Sequence, residues 1–451
     1  MKFSIFALGL ASLVAVFASS AVANNLATPT AQEPVPTAVL PTPAASAPSS
    51  TAQKLYNSAR QDLLQVRVLL KNGRSQSSIG SGFLIGNSNL VITNYHVISQ
   101  IALEPETYFG EYLDPQGQRG SVELLAVDVL RDLAVVRVDR TGSGFFTLPE
   151  QPRELQQGQY LYSLGNPLDL GFAIAEGTYN GVIQRDFSDL LMFTGALNPG
   201  MSGGPNITAD GQVAGVNVSH RLDGELVSFL VPARYVAALL KKVAEQEQAP
   251  EDFKVVIGEQ LLEHQAVMVN KLLETPLSIK QLGEYQVPVR ESDQVRCWGS
   301  ADNKSRQTYS ADRIQCAMES SVFISNELRT GHISINHTLM GSNELGAWRF
   351  AQVQQYAFSG QASKFRDHPN LSGPACHESF VSNGQLPMRA VICVSAYNKF
   401  ADLFNFTLFL ATTDNARMSL HSRLHLSGVS YDNGLHFSQT FIQAIAQEGE
   451  Q

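Results

Sequence analysis

The alternation of apolar and polar positions divides the chain into four stretches. After Lys2 an apolar run extends from Phe3 to Phe17 and gives way to Ala21-Val22-Ala23. A charged start, a short apolar middle and a small-x-small site predict a secretory signal peptide over residues 1–23, with an uncleaved anchor as the alternative. From Asn24 to about Ser50 the chain is Pro, Ala, Thr and Ser with almost no large apolar residue. Such a segment buries too little to fold, which predicts an extended, disordered linker over 24–51.

Residues Ala52 to Leu70 carry Leu55, Leu63, Leu64 and Val66 and predict a helix running into a first strand. From Ser78 the pattern becomes short apolar runs separated by Gly, Asn and Asp: Gly82-Phe83-Leu84-Ile85, Leu90-Val91-Ile92, Val122 to Val129, Leu133 to Val138 and Val213 to Val218. Many short strands punctuated by turn residues predict a closed barrel or a sandwich, with room for two small barrels. Pro232 to Glu247 reads as an amphipathic helix that closes a first domain over 52–247, and Gln248 to Asp252 as a linker.

The last stretch, 253–451, opens with a helical pattern from Phe253 to Leu273. Strand-like runs follow at Ala390 to Tyr397, Leu403 to Ala411 and Met418 to Leu426, and a final helix is expected over Ser438 to Ala446. In the run from Met418, the side chains of Leu420, Leu424 and Leu426 fall on one face and those of His421, Arg423 and His425 on the other. The His/Arg face is expected to be solvated, with a ligand surface as the alternative. The whole reads as mainly β, with a second β-rich, disulfide-containing domain and flanking helices.

Composition changes this picture little. A net charge of -9 without a basic run argues against nucleic acid or an anionic membrane as partner. No second apolar run approaches membrane length, so no stable membrane insertion is expected once the signal is cleaved. All four cysteines, Cys297, Cys316, Cys376 and Cys393, lie in the last third. An even number in an exported chain is read as disulfides, and the favoured pairing of three is Cys297–Cys316 with Cys376–Cys393, each closing one local hairpin. Neither pair has close zinc-ligand spacing, so no metal is expected.

The chemistry gathers around Asn198-Pro199-Gly200-Met201-Ser202-Gly203-Gly204-Pro205. A serine between glycines, closed by proline at each end, is poor helix or central-strand material. It suits a tight loop that lifts one hydroxyl into a cleft with backbone N–H groups aimed at the space before it, as acyl transfer requires. Upstream, His96 in Thr93-Asn94-Tyr95-His96-Val97 follows a strand and is placed to take the Ser202 proton. Asp132, at the start of an apolar strand, is placed to orient His96, with Asp128 as the rival acid.

Together these residues resemble the trypsin-like serine proteases, in particular the exported bacterial HtrA (Deg) branch. The matching pieces are Gly80-Ser81-Gly82-Phe83, Thr93-Asn94-Tyr95-His96-Val97, Asp132-Leu133-Ala134, Gly165-Asn166-Pro167 and the Ser202 loop. The resemblance covers about 78–240 and implies a double six-stranded β-barrel with its cleft between the barrels. It also implies the order His, Asp, Ser and places the acid at Asp132 in preference to Asp128. The oxyanion donors it implies are the backbone N–H groups of Gly200 and Ser202, each worth about 3–4 kcal/mol of transition-state stabilisation. By the same resemblance Ala196 and Leu197 lie at the base of the pocket for the residue before the scissile bond, and Asn217-Val218-Ser219 along its wall and the peptide-pairing strand. Neither Ala196 nor Leu197 carries charge, so small or medium aliphatic residues are expected there.

Two departures stand out. Met201 occupies a position where the HtrA branch usually has asparagine and digestive relatives an aspartate that pairs with a new N-terminus; activation by N-terminal clipping is therefore not expected. The second is the chain after Gln248, which lacks the carboxylate-binding loop of the PDZ domains that usually follow. Asn206-Ile207-Thr208 and Asn217-Val218-Ser219 are glycan acceptor patterns beside the proposed cleft, which argues for bacterial export over a glycosylating pathway.

The expectation is an exported serine endopeptidase, periplasmic or secreted, without cofactor. Its partners are polypeptides, with unfolded or misfolded exported proteins as candidates, and a homo-oligomer is among the assemblies the resemblance allows. The alternative is a catalytically silent protease fold that acts as a chaperone or binding module.

Overall fold

A computed structural model describes residues 49–149, 154–183, 187–220, 226–302, 308–362 and 368–447. The expected signal peptide, and the expected linker up to residue 48, lie outside the described residues. The last residues assigned to that linker are helical instead: Ser49 caps α1 (Ser50–Ala59) by accepting the Ala52 N–H.

Twelve strands form two closed six-stranded antiparallel barrels. The first contains β1 (Leu63–Leu70), β2 (Gln76–Leu84), β3 (Leu90–Thr93), β4 (Tyr108–Leu113), β5 (Arg119–Asp128) and β6 (Leu133–Val138). Its order is β1-β2-β3-β6-β5-β4, closed by pairing of β1 with β4. Between β3 and β4 sits α2 (Tyr95–Leu103). The second barrel contains β7 (Tyr160–Gly165), β8 (Ala173–Ile183), β9 (Leu190–Thr194), β10 (Pro205–Ile207), β11 (Val213–His220) and β12 (Ser228–Pro232), closed by β10 and β7. Then α3 (Ala233–Glu245) packs Val236 and Leu239 into the seam between the barrels, beside Phe83 and Ile92 of the first and Leu164 and Val216 of the second.

The second β region follows α4 (Phe253–Leu273), whose N-cap Asp252 accepts the Lys254 N–H. Two short strands, β13 (Ser278–Leu282) and β14 (Tyr285–Val289), form a three-stranded sheet with the C-terminal strand Ala446–Gln447, which pairs with β14. Next come β15 (Val295–Asp302), β16 (Ser310–Met318), a hairpin of β17 (Val322–Ser325) and β18 (Leu328–Thr330), and β19 (His332–Gly341). After α5 (Ala347–Ala362) come β20 (Ala375–Asn383), β21 (Leu386–Ala396), β22 (Phe404–Thr412), β23 (Met418–Val429) and α6 (Tyr431–Gln443). Seven of these strands make one antiparallel sheet in the order β15-β16-β19-β23-β22-β21-β20. Disulfides join Cys297 to Cys316 and Cys376 to Cys393, each between directly opposed residues. They therefore tie both edge strands, β15 and β20, to their inner neighbours.

Two expectations need correction here. The His421/Arg423/His425 face of β23 is largely covered: β23 is central in the sheet, His421 is 3% exposed with its ring edge-on to Phe358 of α5, and Arg423 and His425 are half-buried. Period-two alternation cannot distinguish a solvated face from one covered by a helix far away in sequence. The last helix also begins earlier than its apolar pattern suggests, because Ser430 caps it at Tyr431 by accepting the Asn433 N–H.

Helix α4 joins the two regions into one interior. Its first half, through Ile257 and Leu261, shares a core with Leu64, Val66, Tyr95 and Val97 of the first barrel and with Ile324, Leu328 and Phe400 beyond it. The second half, through Met268, Val269 and Leu272, packs on the sheet face formed by Leu408, Leu424 and Leu426. Gln260 adds two hydrogen bonds to the β5 backbone, at Val127 and Val129. Residues 48–451 accordingly form one compact unit, and Gln248–Asp252 is a surface crossing within it.

Candidate active site

His96 is the second residue of α2, which starts immediately after β3 with Asn94 at the N-cap position. Facing it, Asp132 sits at the β5–β6 corner with φ 54°, a left-handed conformation that a non-glycine residue occupies only when its surroundings hold it. Here the Asp132 carbonyl accepts from Asn94 Nδ2 at 2.7 Å and from the Tyr95 N–H at 3.2 Å. The fixed corner delivers both carboxylate oxygens to one partner: Oδ1 accepts the His96 backbone N–H at 2.8 Å and Oδ2 accepts Nδ1–H at 2.6 Å. A carboxylate only accepts, so Nδ1 carries the proton and Nε2 of the neutral ring keeps its lone pair.

The imidazole's charge state follows from three neighbours. Burial pushes its pKa down, but the Asp132 charge and hydrogen bond outweigh burial and raise it above the ordinary histidine value, against the opposing charge of Arg329. Asp128, the rival acid, is engaged elsewhere, with Arg131 at 3.5 Å.

Ser202 lies on the loop between β9 and β10. Its hydroxyl points to the Val218 carbonyl at 3.4 Å, and among the described residues it makes no hydrogen bond to His96. The loop nonetheless sits directly against the segment that carries His96. A Cβ placed on Gly203 would lie 3.0 Å from the Asn94 nitrogen, and one on Gly80 would reach the Ser202 carbonyl at 3.0 Å after striking Val97. These glycines permit backbone-to-backbone approach across the seam of the barrels.

The oxyanion geometry depends on the Pro199–Gly200 peptide. The Pro199 carbonyl accepts from Leu168 N–H at 2.8 Å. In a trans peptide the C=O and N–H point in opposite directions, so this bond turns the Gly200 N–H away from Leu168. Gly200 has φ 95°, and a Cβ there would collide with the Asn166 carbonyl. Among the described residues no acceptor meets the N–H of Gly200 or of Ser202, whereas Met201 N–H is used by Asn198 and Gly203 N–H by Asn217. Two unpartnered donors on either side of one residue form the arrangement an oxyanion requires.

Met201 is 3% exposed and packs with Leu161, Phe193, Leu197 and Leu230 inside the second barrel. Apolar burial anchors the loop where digestive relatives, by the resemblance above, use an ion pair. The other pocket residues divide. Ala196 is exposed, Leu197 faces the barrel interior beside Met201, and Val218 lines the cleft half-buried. Asn217 is turned inward, its amide donating to the carbonyls of Leu164 and Met201 and its oxygen accepting the Ser163 hydroxyl, so it supports the loop and not a substrate. Ser219 pairs with Phe229 in β11, and its side chain lies outside the described set. Asn206 and Asn217, the two glycan acceptor patterns, are 0% and 1% exposed.

The sequence pattern assigns Ser81 no role of its own. Fully buried, it donates its hydroxyl to the Gly200 carbonyl at 2.7 Å, accepts Asn166 N–H at 2.9 Å, and donates its own N–H to the Ser202 carbonyl at 2.7 Å. Its flanking glycines were the available signal. Phe323 and Arg329 of the β17–β18 hairpin also reach the site, and no local pattern announces them. Among the described residues no group of His, Cys, Asp or Glu is arranged to hold a metal ion.

Residues 80–216 match the family model described as a trypsin-like peptidase domain. A probable periplasmic serine endoprotease, DegP-like, from Chlamydia muridarum is 30% identical over 31% of this chain and 28% of its own length. A putative serine protease HhoA from Synechocystis is 29% identical over 41% of this chain and 46% of its own. The chain thus spans less than half the length of these curated relatives. Among solved structures, a serine endoprotease from Yersinia pestis aligns over 45% of this chain and 69% of its own, at 22% identity and a TM-score of 0.38.

Proposed function

Taking residues 80–216 as a trypsin-like peptidase domain, we propose that the chain is a serine endopeptidase. Ser202 Oγ attacks the peptide carbonyl as His96 Nε2 takes its proton, and Asp132 holds the resulting imidazolium. The oxyanion is received by the N–H groups of Gly200 and Ser202. His96 then returns the proton to the leaving amine, and water resolves the acyl-enzyme by the same path. The pocket before the scissile bond takes small or medium aliphatic side chains, with uncharged Ala196 at its base. The chain is exported to the periplasm or medium by the residue 1–23 signal and acts there on polypeptides.

The observation that carries this reading is the double hold of Asp132 on His96 next to the two unpartnered N–H groups. A binding role without turnover is favoured by one observation, the Ser202 hydroxyl directed to Val218 instead of His96. Hydroxyl rotamers change at small cost, and the proton path of a serine hydrolase often tightens only on substrate binding. A fluorophosphonate probe decides between them. Labelling of the intact chain but not of Ser202→Ala, with cleavage of unfolded casein, is expected; a folded chain that neither labels nor cleaves would leave the binding role.

A further inference from the structure

The β17–β18 hairpin leaves the large sheet and docks on α2, the helix that carries His96. Its inner side is fixed: Ile324 and Leu328 are 1% and 5% exposed in the core they share with Tyr95 and Val97, and the Tyr95 hydroxyl donates to the Ile324 carbonyl at 2.9 Å. The opposite side turns to the cleft. Phe323 stands edge-on to the His96 ring with centroids 6.0 Å apart, and the Arg329 guanidinium lies over the Phe323 ring at 5.4 Å.

Beside His96 a cavity of about 370 Å³ opens, with walls from all three parts of the molecule. Asp132 and His96 come from the first barrel, Val218 from the second, and Phe323 and Arg329 from the hairpin. Val218 falls where the pairing of β11 with β12 slips by a residue, a bulge that re-aims its backbone, and its carbonyl is the one that meets Ser202. If Asn217–Ser219 is the peptide-pairing strand, as the resemblance implies, a substrate whose scissile carbonyl lies between Ser202 and the Gly200 N–H passes Val218 on its acyl side, and a preceding side chain enters this cavity.

Of the charged groups that line the cavity, Asp132 is taken up by His96. Arg131 is paired with Asp128 and stacked on Tyr235, and Asp189 is paired with Arg234. Exposed Arg329 has no carboxylate partner among the described residues, yet its charge is felt at His96. An aromatic face topped by an unneutralised guanidinium matches a side chain of methylenes ending in a carboxylate.

Resting on the endopeptidase reading, we propose that the hairpin is a wall of the substrate cleft, and that Phe323 and Arg329 select a glutamate preceding the residue that supplies the scissile carbonyl. The glutamate methylenes lie on Phe323 and its carboxylate on Arg329. The β region outside the peptidase domain thus sets specificity.

The test uses the full-length Ser202→Ala chain and fluorescein-labelled pentapeptides ending in valine, with Glu, Gln or Lys as the penultimate residue. The free carboxylate sets the register at the Gly200 N–H. Fluorescence anisotropy is expected to show the Glu peptide binding about tenfold tighter than the Lys peptide, a ratio that shrinks in about 1 M salt. In Ser202→Ala with Arg329→Gln the ratio falls towards one, and with Arg329→Glu it inverts. Equal ratios in all three chains would overturn the proposal. Fluorophosphonate labelling of the chain with Ser202 intact is scored separately: its absence sinks the endopeptidase reading, whereas the peptide ratios still decide the subsite.

Discussion

Ser81 and Gly200 are joined across the seam of the barrels by a 2.7 Å hydrogen bond from hydroxyl to carbonyl. Ser81→Ala removes that donor and leaves two buried backbone groups, the Gly200 carbonyl and the Asn166 N–H, without their partner. Each such loss costs about 1–3 kcal/mol. Because Gly200 carries a proposed oxyanion donor, the effect should appear in kcat, by about tenfold or more, with KM little changed. An unchanged kcat in a folded variant would show that the loop holds its shape without Ser81.

The second prediction concerns pH. In the proposed mechanism turnover needs the neutral form of His96, so activity should be lost as pH falls through its pKa. The Asp132 carboxylate raises that pKa against burial and Arg329, so the acid limb of kcat/KM lies above the ordinary histidine value. Of the groups around the ring, Asp132 and Arg329 carry charge and Phe323, edge-on to it, carries none. Asp132→Asn removes the raising charge: the limb moves to lower pH and kcat falls by about ten-thousand-fold. Arg329→Gln removes the opposing charge and moves the limb to higher pH. A limb that stays in place in both variants would mean that another group titrates.

The barrels and the site differ in how far the sequence exposes them. Strands in the first two hundred residues announce themselves because short apolar runs alternate with Gly, Asn and Asp, and loops that need positive φ or close backbone approach carry glycine, as at Gly200 and Gly203. Local requirements are written locally. Asp132 is an exception in kind: its φ of 54° has no glycine to mark it and is sustained by Asn94 and Tyr95 from another turn. The covering of His421 by Phe358, and the approach of Phe323 to His96, depend on packing between residues far apart in the chain. Periodicity reports which face of a strand is apolar, not which distant element will cover the other.

Met201 supplies the third prediction. Its side chain anchors the Ser202 loop by burial among Leu161, Phe193 and Leu230. Met201→Leu conserves volume and should cost less than about 1.5 kcal/mol. Met201→Asp places an uncompensated carboxylate in that interior, at about 3–5 kcal/mol, and should lower the melting temperature and abolish fluorophosphonate labelling together. A stable, labelling Met201→Asp chain would indicate that the loop has a charged partner outside the described residues.

The last prediction addresses the shared interior. A trypsin-like domain is often treated as separable, and Gln248–Asp252 offers an evident place to cut. Yet the helix that carries His96 is covered from beyond that cut: Tyr95, Val97 and Ile98 lie in one core with Ile257, Leu261, Ile324, Leu328 and Phe400. Removing residues 248–451 strips these five side chains from that core together with Tyr397 and Leu403, each worth about 1.5–3 kcal/mol when fully buried, and also removes the Gln260 bonds to Val127 and Val129. A sum of that size, about 10–20 kcal/mol, is as large as the 5–15 kcal/mol by which whole domains are commonly stable. The chain 49–247 should therefore melt without a cooperative transition and lose peptide hydrolysis, whereas Tyr95→Phe in the full chain, which removes only the bond to Ile324, should cost about 1 kcal/mol and leave one transition. Calorimetry of the three chains separates the cases; a truncated chain that melts cooperatively and cleaves peptides at the full-length rate would show that the first barrel does not need its cover.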